Sequence, residues 1–547
     1  MNLPLSPSSV PADSATDADR RRFIAGIAAS VGVVSLGLPA VAQAQAQTGA
    51  TPRKGGTLIV GLSGEPSVFD PNRQFSYETY RIDKHIYESL VAEDLSRPFK
   101  EGPPDVVPAL AESWNISVDA TTFTFKLRRG VKFHDGSDFD AEAVRFNVRR
   151  FTDPAFEFYD TRSNATMKPV YGGLKEVTVL DSHTVRFVFG HPYIDFLRLL
   201  PQGNFVSGIF SPAALRKHGQ DGLAEHPTGT GPYRFVARVR NEKTELVRNP
   251  DYWGAKPHLD KLIFRPINDD ATRLSALRSG QIDILSKIPA DGVEGLRKAG
   301  FTIHDSPGAN QLFLSWYFGN RFAKDKAVRQ AFVKAIDREG LVKSLFRGLA
   351  FPSYSIFNWG STAFDPAQKD ATYDPEGARR LLANAGYKPG EIEFSIITYT
   401  LQQPVIEWIQ RDLAKVGVKI NIVSLEWLTY ASKLNTPTPE TALFTMEWGF
   451  ITPYWLKLAY DTYIVSRGGG EKVVDPQLAP AIARAAAQTA EARAIDEWKK
   501  ANLIAQRDAA FVPLLSPTVN FIAHKRVKGF NVPLQNFYDL STVWLDK

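Results

Sequence analysis

Two periodicities interleave along this chain, and their order constrains the fold more than any single motif. Phe123, Phe125 and Leu127 alternate with Thr124, Lys126 and Arg128, the two-residue repeat of a half-buried strand. Val185, Phe187 and Phe189 repeat that pattern farther on. Between them, residues 140–151 place Val144, Val148 and Phe151 on one helical face behind Asp140, a residue type that caps a first turn. Residues 327–346 carry Val328, Ala331, Phe332, Ala335, Ile336, Val342 and Leu345 at helical spacing. Residues 373–387 read as a short helix, with Asp374 as cap, Pro375 in the first turn and Gly386 at the stop. Strand patterns at 57–62, 391–399 and 418–425 alternate with these helices, which predicts α/β lobes. At 547 residues the chain exceeds a single core, and two or three domains are expected.

The charge balance excludes one class of partner. Sixty-five basic against 59 acidic residues leave a net +6, spread along the chain, which is not the concentrated footprint of a nucleic-acid-binding protein. The N-terminus predicts export. Arg20, Arg21 and Arg22 precede an apolar run from Phe23 to about Val41, followed by overlapping Ala-x-Ala sites at Ala40, Ala42 and Ala44, the order of a signal peptide. The arginine pair ahead of Phe23 and Ile24 resembles the twin-arginine signal, and the mature chain is expected to begin near Gln43 to Gln47. A membrane anchor is disfavoured by Gly26, Gly32 and Gly37 and by the absence of a charged stop-transfer segment. The chain has no cysteine, so it has no lipid-bearing cysteine, disulfide framework or thiolate metal site. A soluble periplasmic protein is expected.

Local motifs for chemistry are sparse. None of the nine histidines forms a His-x3-His or His-Glu-x2-His pair, and neither a Gly-x-Ser-x-Gly elbow nor a Gly-Lys-Ser/Thr phosphate loop occurs. No metal, cofactor or catalytic residue is predicted. The glycines of "HPTGTGPYRF", 226–235, lead into an alternating strand pattern rather than a helix N-terminus, so they do not form a phosphate cradle. Pro232 also pushes Gly231 toward extended geometry, and a turn at a backbone crossing is predicted instead.

That turn opens the run 246–285, which resembles a segment of the family 5 extracytoplasmic solute-binding proteins of ABC importers, the peptide and nickel binders. Residues 54–71, 86–91, 108–151, 327–339, 373–387 and 413–430 are similar to further segments in the family's order, so the resemblance covers roughly Lys54 to Lys547. It implies a two-lobed α/β clamp, a type II periplasmic binding fold with an extra subdomain, that traps a solute between its lobes. The implied partners are a peptide-like or other small organic solute and an inner-membrane ABC permease, bound by a monomer without cofactor. The expected layout is a signal and linker start over 1–46, linker and first strand over 47–72 and the extra subdomain over 73–181. The rest of lobe 1 follows over 182–309, lobe 2 over 310–520 and a return to lobe 1 over 521–547. An exported enzyme is the competing class.

The same resemblance assigns a site. Peptide-binding relatives anchor the ligand's amino group on an aspartate three residues after a tryptophan; here the tryptophan is Trp448 and the matching position is Ile451. Dipeptide binders also carry an arginine for the ligand carboxylate, and residues 398–408 contain none. Both ends of a plain dipeptide lose their usual partner, so the preferred solute is expected to lack a free amino group, as in a modified peptide or an opine-like conjugate, unless Glu447 or Glu65 replaces the anchor. The expected contacts are Tyr399, Gln402, Trp427, Trp448, Phe450 and Ile451 from lobe 2, and Gln74, Tyr77 and Thr79 from lobe 1.

Overall fold

A computed structural model describes residues 51–73, 76–94, 103–201, 207–286, 290–368, 372–449, 452–467, 469–531 and 537–546. The segment read as an export signal, and Gln74, Phe450 and Ile451 among the expected contacts, lie outside the described residues. No helix among the described residues is long and apolar enough to cross a membrane.

A twelve-stranded sheet runs through the molecule. In its first half Thr57–Leu62 lies parallel to Lys261–Pro266 and Ile284–Ser286, and the antiparallel strands Lys243–Arg248 and Tyr233–Val239 extend the edge. In the second half Ile392–Tyr399 lies parallel to both Val418–Leu425 and Thr441–Gly449, and Asn310–Trp316 pairs antiparallel with the latter. One long strand, Phe511–Ala523, joins the halves. Its start pairs with Leu312 to Ser315, and its end, from Thr518, pairs with Thr302–Pro307. The chain therefore passes between the halves twice at one level, at Gly308–Ala309 and at Ser516–Pro517.

The core follows this division. Leu58, Val60, Leu262, Phe264 and Ile284 pack together in the first half with Phe521. A separate four-stranded sheet, from Ala111–Ile116, Thr122–Leu127, Leu174–Asp181 and Thr184–Phe189, is backed by the helix Ala141–Thr152. Its buried Phe123, Phe125 and Phe187 belong to the same apolar cluster as Phe313, Trp316 and Phe444 of the second half. The caps read from the sequence form as expected: Asp140 accepts from the Ala143 N–H at 2.8 Å and Asp374 from the Gly377 N–H at 2.7 Å. The helical pattern of 327–346 breaks. A helix ends at Ala335, Asp337 caps a second one by accepting from the Gly340 N–H, and Val342–Phe346 winds as a π-turn. Buried Arg338 holds the break by donating to the carbonyls of Val333, Ile336 and Pro513.

The Gly-rich turn serves a crossing. Tyr233 N–H donates to the His85 carbonyl at 3.0 Å and Gly231 N–H to the Ile86 carbonyl at 2.9 Å. A Cβ on Gly229 would run into the Ile86 oxygen, and one on Gly231 into both carbonyls. Thr230 between them donates to Glu88 at 2.7 Å. Strand Tyr233–Val239 is thereby pinned to the turn that follows the helix Tyr77–Asp83.

Candidate functional site

The ends of three parallel strands of the second half converge beside the crossing. Ile392–Tyr399 delivers the half-buried Tyr399, the one-turn helix Thr400–Gln402 carries Gln402, and Val418–Leu425 leads to Trp427. Trp427 opens the helix Trp427–Lys433, is 50% exposed, and stands 5.5 Å from the Tyr399 ring. Burial, then the nearby carboxylates of Glu426 and Glu447, push the Tyr399 hydroxyl above its ordinary value. Glu447 projects from Thr441–Gly449 and accepts from Asn310 Nδ2 at 2.9 Å. From the first half, the Tyr77 hydroxyl approaches the same Asn310 nitrogen at 3.5 Å, a long contact that marks where the halves meet.

Other expected residues lie deeper in the packing. Trp448 is half-buried and packs its ring on Trp455 and Tyr463, with centroids 5.2 Å and 5.0 Å away, so it forms the wall behind the strand end. Thr79 is fully buried, and its hydroxyl accepts from the Ser67 N–H at 2.8 Å, which braces the loop against the helix. Glu65 is taken up by Arg238 and by the Asn241 N–H.

Sequence reasoning missed the residues that hold the crossing. Asn358 Nδ2 donates to the Ala309 carbonyl at 2.8 Å and to Ser516 Oγ at 2.9 Å, with the Asn310 carbonyl at 3.1 Å. One buried amide thus grips both passing strands. Trp359 Nε1 adds a bond to the Gly308 carbonyl at 3.1 Å. A Cβ on Gly308 would meet the Pro517 carbonyl, so the two passages lie in direct contact. Glycine at 308 was the one local signal.

A second buried contact, away from the crossing, ties the region after the four-stranded sheet to the second half. Asp195 precedes the short helix Phe196–Leu199, and its carboxylate accepts from the hydroxyl of the fully buried Thr452. The Tyr193 ring packs at a tilt against that of Tyr454, with centroids 4.8 Å apart, and Arg198 pairs with Glu491 at 2.8 Å. Burial pushes the Asp195 carboxyl up to about 6, against the lowering effects of Thr452 and Arg198.

Two sheet halves joined by paired crossings, with rings and carboxylates at the strand ends between them, define a two-lobed binding-protein fold. Residues 105–463 match the family described as bacterial extracellular solute-binding proteins, family 5 Middle. The chain belongs to that family. The di/tripeptide-binding protein 2 of Pseudomonas aeruginosa is 28% identical over 90% of this chain and 95% of its own. The dipeptide-binding protein of Escherichia coli is 30% identical over 76% of this chain and 79% of its own. Among solved structures, the ABC transporter-associated periplasmic binding protein DppA from Helicobacter pylori, in complex with the peptide STSA, superposes with a TM-score of 0.76 at 27% identity, covering 90% of this chain and 99% of that one.

Proposed function

We propose that this chain is the periplasmic receptor of an ABC importer, which captures a peptide-like or other small organic solute between its lobes and passes it unchanged to an inner-membrane permease. The observation that carries this reading is the placement of Tyr399, Trp427 and Glu447 at strand ends opposite Tyr77, beside two crossings held by one amide. Rings supply flat apolar contact and a few polar groups fix orientation, the composition of a small-molecule cleft. Relatives named for di- and tripeptides support the peptide-like class. The receptor acts as a monomer and uses no cofactor. Lobe 1 takes residues up to about 309 and the tail after about 520, and lobe 2 takes 310–520. Export runs through the twin-arginine route, with Arg20 and Arg21 as its address.

The test pairs thermal shift across a solute library with mass balance of each stabilising solute. Saturable stabilisation with the solute unaltered is expected. Turnover of a stabilising solute would favour an exported enzyme, and no stabilisation by any class would remove the receptor reading. Arg20→Lys with Arg21→Lys should leave the precursor in the cytoplasm; unchanged periplasmic accumulation would assign the general secretory route.

A further inference from the structure

We infer that Glu447, oriented by Asn310, receives a positively charged group of the solute, so that the cargo is an amine- or guanidine-bearing organic molecule. The inference rests on the receptor reading above and narrows it.

The geometry of one amide starts the argument. Asn310 is the first residue of its strand, beside the crossing, and is 1% exposed. A carboxylate only accepts hydrogen bonds, so the 2.9 Å contact to Glu447 Oε1 fixes Nδ2 on that side and turns Oδ1 the other way. Glu447 itself is only half-buried, and among the described residues no lysine or arginine forms an ion pair with it. A carboxylate held in this way presents acceptors in excess of donors. A protonated amine or a guanidinium brings several N–H donors and the opposite charge, and satisfies it.

The surroundings agree. Tyr399 lies close enough to Glu426 and Glu447 for both charges to act on its hydroxyl, and Trp427 stands against its ring. Aromatic faces next to carboxylates favour a cation over a neutral or anionic group. Of the two carboxylates open from the sequence, Glu65 is neutralised by Arg238 at 2.6 Å, which leaves Glu447. The anchor absent at Ile451 is replaced by the residue just before Trp448.

The test strips the purified mature protein of bound solute by unfolding and refolding, exposes it to a small-molecule cell extract, and identifies what is captured by native mass spectrometry. A captured solute with an amine or guanidine is expected. Glu447→Gln should weaken its binding at least a hundredfold without shifting the melting temperature of the solute-free protein, and Glu447→Asp, which keeps the charge, should retain more affinity than Glu447→Gln. A role in folding alone would not produce that order. Capture of an uncharged or anionic solute overturns this inference and leaves the receptor reading standing. A cationic solute held equally well by Glu447→Gln overturns the assignment of Glu447. Capture of nothing by either protein overturns both readings.

Discussion

Thr452→Val isolates the buried contact between the helix that follows the four-stranded sheet and the second half. Valine keeps the shape of threonine but removes the hydroxyl, so the Asp195 carboxylate loses the donor it meets in the folded molecule. A buried acceptor deprived of its partner costs about 1–3 kcal/mol. Unfolding returns Asp195 to water, so the whole cost falls on the folded state, and urea denaturation should show a loss of that size. The pH dependence has a definite sign. Burial raises the Asp195 carboxyl from 3.8 to about 6 in the folded protein, so folding takes up a proton. The added stability is present in full below about pH 4 and is lost as pH rises through about 6, roughly 3 kcal/mol at its limit. Asp195→Asn removes that proton, and its stability should lose this part of the pH profile. Urea denaturation from pH 4 to 8 measures both effects. Wild-type stability in Thr452→Val, or an unchanged profile in Asp195→Asn, would contradict this account of the contact.

Asn358→Ala strips the donor from the carbonyls at the crossing and should destabilise the protein by about 2–4 kcal/mol in urea denaturation while altering solute affinity. Gly231→Ala forces a methyl group against the His85 and Ile86 carbonyls and should cost about 1–3 kcal/mol, read by the same assay. His85 and His134 are buried, and burial lowers each to about 4. Their folded values lie below the unfolded value near 6.5, so each adds stability that is full above about pH 6.5 and is lost as pH falls through 4, up to about 3 kcal/mol apiece. Denaturation midpoints from pH 7 to 4 should fall accordingly, with His85→Gln and His134→Gln each flattening the decline.

Local chemistry made part of this molecule legible. The two-residue alternation located Thr57–Leu62, Tyr233–Val239 and Val418–Leu425, because side-chain period reports directly on a strand with one buried face. Asp140 and Asp374 could be read as caps because their partners lie three residues away. The break after Ala335 was hidden. Apolar spacing continues through Ile336, while the residue that stabilises the break, Arg338, reaches Pro513, 175 positions away. The site divides in the same way. Tyr399 and Trp427 were visible as rings following strand patterns, whereas the buried bond from the Ser67 N–H to the Thr79 hydroxyl was not. Asn358 acts on Ser516, 158 residues off, and Asp195 on Thr452, 257 residues off, so no local pattern marks either.

In the proposed function one solute is held between two lobes and left chemically intact. Titrating the purified mature protein with its captured solute, then recovering and weighing that solute by mass spectrometry, measures both parts at once. One solute per chain, a smaller radius of gyration in the saturated protein, and full recovery of the solute at its original mass are expected. A solute returned at altered mass, or saturation without compaction, would contradict that reading.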